Sequence, residues 1–408
     1  MSARESRPTW TKDSKLALRF NKFICWPLGI WPLDYDSAFS HFRLVFSFLT
    51  QLWLICVQVT PAYLNCGTAS DVVDYVMMSV CAVMAISKIV TFRVHMNKLR
   101  TVFISAMNDW SSVEHDSDRT IMRSFAKTGR LVFKLQIGFS YVSNTLIIIG
   151  TLPFFLPPIS TNETLVNSSI TTEMAVTREL PVKSGCLFGH YRDEIYGLFY
   201  VYESIMIFIT ANGNVGCDIV LFSLLMHLCG QIELIKQNLR ETDVAAVCST
   251  ESQEKILKFI QKHVRILDLA KSLEIATSGM LVIQLFCNAG MNLMLGLRIL
   301  MALKNRLIAD VIRLIFALFV LMLQLYLVSY ASDYLSRQSE SVVDALYESR
   351  WYELPPKLRK NLFFVAMRAN KPVNLVAGQF YAINIENFKN ILKASFSYFS
   401  VLRIIFDN

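Results

Sequence analysis

Residues Gly378 to Phe406 read GQFYAINIENFKNILKASFSYFSVLRIIF. A polar, lysine-bearing lead runs without a break into an apolar helix of membrane length. From Asn387 to Phe406 is about 20 residues, or ~30 Å at ~1.5 Å per residue, enough to cross a hydrocarbon core once. Lys393, Ser397 and Ser400 or Val401 fall on one side of that helix, with Ile404 and Ile405 beyond. A span whose hydroxyls and charges share a face is suited to border water, so this segment is expected to line an aqueous path.

The rest of the chain supplies the membrane context. Its 408 residues are 53% hydrophobic and only 18% charged, with 28 Phe, and the mean hydropathy is +0.40. That apolar inventory exceeds what one globular core takes up, and the excess must face lipid. Hydropathy predicts roughly seven spans of about 20 residues or more. They lie at Ala38 to Thr60, Val72 to Val94, Leu131 to Leu156, Tyr196 to Leu228, Ile275 to Leu300, Ile308 to Tyr330 and Asn387 to Phe406. The expected fold class is therefore an all-α integral membrane protein with seven transmembrane helices.

Orientation follows from the basic residues. The leading tail carries Arg4, Arg7, Lys12, Lys15, Arg19 and Lys22, whereas the first connection, Pro61 to Ser70, carries no Lys or Arg. The positive-inside rule places the N-terminus in the cytoplasm, and seven spans then place the C-terminus outside. Two glycosylation sequons, at Asn162 and Asn167, both fall in the third connection, which the same assignment makes extracellular. The net charge of +8 is accounted for by cytoplasmic loops facing anionic membrane lipids, and no nucleic-acid partner is expected. Residues 1 to 22 lack the apolar core of a cleavable signal, so the first span is expected to act as its own. Trp26 to Leu33, WPLGIWPL, is apolar but short and broken by prolines, which reads as an interfacial or re-entrant piece anchored by tryptophan.

Catalysis and cofactors find no support. The nine cysteines show no CxxC spacing and no Cys/His cluster, and P-loop, GxSxG, HExxH and dinucleotide signatures are missing. No enzyme, metal or other cofactor is expected. Cys66 and Cys186 fall in extracellular connections, where a disulfide and two free thiols both remain open readings.

Beyond the membrane the apolar periodicity continues. Leu228, Ile232, Ile235 and Leu239, then Ile256, Ile260, Val264 and Leu267, recur at helical spacing among charged residues, and a third such segment spans Ser341 to Ala369. Packed together, these stripes predict a cytoplasmic helical anchor bundle. The expected partition is 1–37 as cytoplasmic tail with the interfacial piece and 38–228 as four spans with a glycosylated loop at 157–194. Residues 229–274 are the first amphipathic helices, 275–330 the fifth and sixth spans, 331–386 the anchor and connection, and 387–408 the last span.

From Tyr347 onward the chain reads YESRWYELPPKLRKNLFFVAMRANKPVNLVAGQFYAINIENFKNILKASFSYFSVLR. This resembles the C-terminal signature of insect odorant receptors, with landmarks at Tyr347, Trp351, Tyr352, Leu354, Pro355, Gly378, Phe388, Ser395, Ser397, Tyr398 and Leu402. Asp218, His227, Gly230 and Gln231 are similar to that family as well, and FNKFICWPLGIWPL resembles its Hymenoptera-type members. The resemblance is strongest over about the last sixty residues.

It implies an odorant-specific subunit of a ligand-gated, non-selective cation channel in the plasma membrane of olfactory sensory neurons. In that family such tuning subunits join the shared co-receptor Orco in heterotetramers, and each subunit gives one last helix to the pore. The chain lacks the co-receptor's long second cytoplasmic insertion, and so looks like a tuning subunit. By the family pattern Val401 and Ile405 match a hydrophobic constriction that closes by dewetting, with a lipid-facing position as the alternative. Arg403 would repel permeant cations in a pore and is expected to snorkel toward headgroups. The resemblance places a small volatile odorant in the outer half of the second, third, fourth and sixth spans. Tyr75, Met78, Asn144, Ile148, Thr151, Phe199, Tyr200, Met206, Phe316 and Val320 lie there, an aromatic and Met-rich set suited to an apolar ligand. Glu203 is a carboxylate within a span, expected to contact ligand or to pair with a buried group such as Asn144. Two rival seven-helix or channel classes stand beside this reading: a gustatory-type receptor of the same superfamily, and a G-protein-coupled receptor, which would need the opposite orientation and lacks NPxxY and DRY here.

Overall fold

The computed structural model describes residues 10–64, 67–152, 180–182, 193–241 and 250–407. Among these the chain is almost wholly helical. An N-terminal helix α1 (Lys12–Cys25) is followed by α2 (Ala38–Tyr63), α3 (Ala69–Val94), α4 (Met96–Ser112) and α5 (Asp116–Gly150). Then come three long helices: α6 (Asp193–Glu241, 49 residues), α7 (Thr250–Lys304, 55 residues) and α8 (Ile308–Glu348, 41 residues). A 3-10 turn (Trp351–Glu353), α9 (Pro356–Ala369), a ribbon of β1 (Val376–Ala377) and β2 (Tyr381–Ala382), and α10 (Ile385–Asp407) complete it.

The starts are set by local chemistry. The Thr11 hydroxyl accepts from the Ser14 N–H at 3.1 Å to begin α1, and the Ser37 hydroxyl accepts from Ser40 N–H at 3.1 Å to begin α2. At α3, Thr68 and Asp71 form a capping box, the Asp71 carboxylate accepting from the Thr68 N–H at 2.9 Å. A single residue, His95, separates α3 from α4.

Six of the expected spans fall on helices long and apolar enough to cross a membrane: α2, α3, α5, α6, α7 and α8. The seventh falls on α10, whose 23 residues have the length and carry Lys389, Lys393 and Arg403 among the apolar side chains. At an ideal rise α6, α7 and α8 run ~60 to ~80 Å, at least twice the hydrocarbon thickness. The amphipathic stripes after the fourth span and before the fifth are thus continuations of the spanning helices themselves.

The arrangement is built around α6. In its most apolar stretch 94% of the residues are buried, against 28 to 44% in the other five spans. An uninterrupted apolar helix encircled by neighbours is what its sequence dictates. The main core joins α6 to α1, α4, α5, α7 and α8 through residues such as Leu18, Phe103, Phe222, Leu225, Leu273 and Leu335. A smaller core binds α3, α7 and α8 through Met77, Met291, Leu295 and Leu321.

Three departures from the sequence reading have plain causes. Trp26 to Leu33 forms turns, with Gly29 at φ 69°, and is sunk into the core: Trp31 is 2% exposed, with its ring edge-on to Phe103 at 5.3 Å. Trp26 and Pro27 stay at the surface, where Trp26 carries the Arg43 guanidinium 3.8 Å above its ring. The Ser341 to Ala369 segment is two helices, because Pro355 and Pro356 force Leu354 into an extended conformation and restart the helix. The third span stops at Gly150, and residues 153–156 lie outside the described residues.

The all-helical expectation also missed the ribbon that aims α10. Val376 pairs with Ala382 and Ala377 with Tyr381, and the turn is made by Gly378 and Gln379, both at positive φ (60° and 69°). Serines on the two long helices pin it. Ser278 of α7 donates to Val376 O at 2.8 Å and accepts from Gly378 N–H at 2.9 Å, while Ser332 of α8 accepts from Leu375 N–H at 3.2 Å. A Cβ on Gly378 would lie 2.7 Å from Val282 Cγ2. Gly378→Ala therefore combines left-handed strain with a clash and should cost about 1 to 3 kcal/mol. The check is thermal unfolding of the detergent-solubilised protein, where the variant is expected to melt several degrees lower.

Candidate functional site

The outer-half candidates divide into two groups. Met78 of α3, Ile148 of α5 and Met206 of α6 meet in one cluster with Leu54, Val57 and Val182. Tyr200 and Thr151 join it through the backbone: the Tyr200 hydroxyl donates to Ile148 O at 2.5 Å and the Thr151 hydroxyl donates to the same oxygen at 2.8 Å. Glu203 is 3% exposed and accepts from the Val182 N–H at 3.0 Å, while the Gln58 side-chain amide donates to Val182 O at 2.5 Å. The carboxylate that is costly within a span thus takes a backbone hydrogen bond from a short segment, Leu180 to Val182, buried in the bundle. No Glu203–Asn144 hydrogen bond through Asn144 Nδ2 forms: that nitrogen is buried with no hydrogen-bond partner among the described residues.

The second group lies elsewhere. Phe316 packs edge-on against Phe139 at 6.0 Å, on the contact between α5 and α8, with Phe319 beside it. Val320 is half-buried one turn along α8, Tyr75 is buried on α3, and Phe199 is half-buried on α6. Asn162, Asn167, Cys66 and Cys186 lie outside the described residues.

Near the other end of these helices is a charged cluster that sequence reasoning did not assemble. Lys88 of α3 is 0% exposed and donates to both carboxylate oxygens of Asp218 of α6, at 2.9 and 2.8 Å, and to Asn214 O at 2.8 Å. Gln284 of α7 donates to Asp218 Oδ2 at 2.9 Å; Gln324 of α8 donates to the same oxygen and to Asn214 O at 3.2 Å. Four helices meet on one buried ion pair. A second pair, Arg298 of α7 on Asp74 of α3, is bidentate at 2.8 and 3.0 Å. Charges of opposite sign inside separate spans were the available signal.

Nearer the C-terminal end of α6, the helices α4, α6 and α7 are joined by Asp109, whose carboxylate accepts from His227 Nε2 at 3.1 Å and pairs with Arg265. Burial pushes the Asp109 carboxyl up, but the His227 hydrogen bond and charge, together with Arg265, outweigh it and hold it below the usual carboxylate value. Lys236 of α6 donates to Gln338 Oε1 at 2.8 Å and to Ser341 Oγ at 2.9 Å on α8. His263 of α7 is buried against the Phe259 ring, and burial followed by the Arg368 charge lowers its imidazole to about 4.

The last helix rests one side on α7 and α8. Phe396, Tyr398, Val401 and Ile404 are 53 to 70% exposed, and Lys393 and Ser397 are exposed as well. The side chain of Ile405 falls outside the described residues. In the single chain, then, the candidate pore face has no cover.

Comparison with known proteins places this architecture. The family described as 7tm Odorant receptor matches residues 68–396. Odorant receptor 13a of Drosophila melanogaster is 25% identical over 225 residues, 52% of this chain and 54% of the relative. Odorant receptor 10 of Aedes albopictus is 26% identical over 153 residues, 38% and 40% of the two chains. The chain spans about half the length, or less, of these curated relatives. Among solved structures, the insect olfactory receptor OR5 from Machilis hrabei superposes with a TM-score of 0.70 at 15% identity, covering 96% of this chain and 99% of that one. The same receptor in complex with eugenol superposes at 0.72 and 13% identity, covering 97% and 100%. The fold is shared throughout.

Two measurements bear on this geometry. Lys88→Met leaves Asp218 charged and buried without its cation, which should cost about 3 to 5 kcal/mol, whereas K88M combined with Asp218→Leu should recover most of the loss. The amount of monodisperse protein recovered from detergent reads both. An unfolded histidine titrates near ~6.5, so the depressed His263 contributes stability that is whole above that value and is lost as pH falls through it toward about 4. The melting temperature should fall between pH 7 and pH 5, and less so in His263→Leu.

Proposed function

The chain belongs to the 7tm odorant receptor family, and from that premise we propose that it is an odorant-binding subunit of an odorant-gated, non-selective cation channel. The observation that carries the reading is α10: a membrane-length helix that carries Lys393 and Ser397 among its apolar side chains, and whose Ser397, Val401 and Ile404 have no cover in the single chain. One such helix encloses nothing. Four, one from each subunit, enclose a path for cations, with Lys393 and Ser397 toward the N-terminal part of the helix and Val401, Ile404 and Ile405 further along as an apolar constriction. The partners in the assembly are copies of the shared co-receptor Orco, in a heterotetramer.

The N-terminus is cytoplasmic, and the extensions of α6, α7 and α8, together with α9, form the anchor through which subunits associate. The protein sits in the plasma membrane of olfactory sensory neurons. Its ligand is a small, mostly apolar volatile bound around Met78, Ile148, Thr151, Tyr200 and Met206, with Asn144 and Glu203 as the polar groups that orient it; Phe316, on the α5–α8 contact, and Tyr75, Phe199 and Val320 are not part of that cluster. Eugenol in the superposable receptor supports a ligand of that size. Asn162 and Asn167 carry glycans on the outer loop, which also holds Cys186.

A ligand opens the pore by as much as it prefers the open state; a hundredfold preference supplies ~2.7 kcal/mol. Val401→Ser wets the constriction and is expected to raise basal current in cells that co-express the co-receptor. Unchanged basal current, together with an unchanged response to a panel of volatiles at normal surface expression, would remove Val401 from the gate.

A further inference from the structure

Behind α10, on the side away from the uncovered face, α7 and α10 meet in matched register. Asn292 of α7 lies opposite Ser395 of α10, and one turn further Gly296 lies opposite Phe399. The two helices therefore run parallel here, each presenting a polar residue and then a packing residue four positions on. A Cβ on Gly296 would come within 3.2 Å of the Phe399 ring, so the glycine is what lets the ring seat.

Beside the polar pair is a small cavity of about 20 Å³, lined by Asn292, Gly296, Ser395 and Phe399 and open at the exposed side chains of Leu293 and Tyr398. Its polar chemistry is incomplete. The Asn292 Nδ2 donates to Ser395 Oγ across 3.5 Å, a long contact, and the Ser395 hydroxyl is itself committed to Ile391 O at 2.9 Å. Asn292 Oδ1 is buried with no hydrogen-bond partner among the described residues, and Asn292 is 8% exposed. An amide oxygen in a membrane interior is not left dry, and the cavity has the volume of one water molecule with polar atoms on two walls.

We propose that this cavity is a one-water binding site joining α7 to α10, and that Asn292 is a positioning residue that latches the last helix in its resting place. The latch rests on the reading of α10 as the pore helix. Direct amide-to-hydroxyl contact and the water bridge both depend on Asn292 and Ser395 staying opposite each other. A rotation or slide of α10 that moves the constriction off the axis separates them, while the Phe399 ring, held at Gly296, is the pivot. The energy of the latch is then present in the closed state and absent from the open one, which is the condition for a contact to bias a gate.

The test uses the full chain in cells with its co-receptor, with surface expression followed by an epitope, and reads basal cation current. Asn292→Leu and Ser395→Ala should each raise basal current by about fivefold, and the double variant should not exceed the larger single by more than about twofold, because both remove one latch. Ser395→Thr, which keeps the hydroxyl, should show less than half the S395A effect; N292A replaces N292L should the latter fail to reach the surface. In parallel, Ser397→Cys is exposed to a charged thiol reagent, and block of the current reports that α10 borders the pore. Block at S397C together with silent or additive effects at Asn292 and Ser395 overturns the latch alone. Failure to block S397C at full surface expression overturns the pore reading and the latch with it.

Discussion

The Lys88–Asp218 pair is the constraint on which the rest of the bundle depends. Two charges with almost no solvent contact are tolerable only when every remaining lone pair and proton is met. Meeting them takes Asn214 on α6, Gln284 on α7 and Gln324 on α8 in addition to α3. Apolar packing between helices in lipid is permissive about rotation and height, since lipid tails are as apolar as leucine. A shared ion pair is not. It fixes the rotation of four helices at one level, and α6, buried on all sides, becomes the axis around which the others are indexed.

From that index the placement of the outer and lateral features follows. With α3 and α6 fixed, Met78 and Met206 join one cluster, and Val182 is held between Gln58 and Glu203. With α7 and α8 fixed, Ser278 and Ser332 stand where the ribbon needs partners, so α10 leaves its turn in one direction only. The helix that most needs accurate placement is thus carried on two that the ion pair indexes through Gln284 and Gln324.

Much of this was legible in the sequence, and the exceptions have a common character. Long apolar runs marked the six helices long and apolar enough to cross a membrane, because lipid burial demands length and composition, both readable locally, while the helices run well past those apolar stretches. What local reading lacks is rotation and distant pairing. Lys88 and Asp218 are each visible as charges inside spans, but they are 130 residues apart, and nothing in either neighbourhood names the other. The candidate ligand residues were chosen by span and depth; which way each faces depends on helix rotation, and so Phe316 went to the α5–α8 contact while Met78 and Met206 came together. The ribbon was missed because two-residue strands carry no alternation, although Gly378 marked the turn. The Leu354-Pro355-Pro356 break is readable in the sequence, but the apolar stripe that runs through it masks it.

The continuity of α7 has a mechanical consequence. Fifty-five residues without a break make a rod ~80 Å long, spanning from the level of the outer cluster to the helices beyond the opposite membrane face. Levered about the level of the buried ion pair, where Gln284 meets it, a tilt of about five degrees moves the Thr250 tip, ~50 Å away, by ~4.4 Å, the size of a side chain, with no helical hydrogen bond broken. A receptor with such struts has no need of a relay of small rearrangements between its two ends. Whatever loads one end of the beam is felt at the other as displacement.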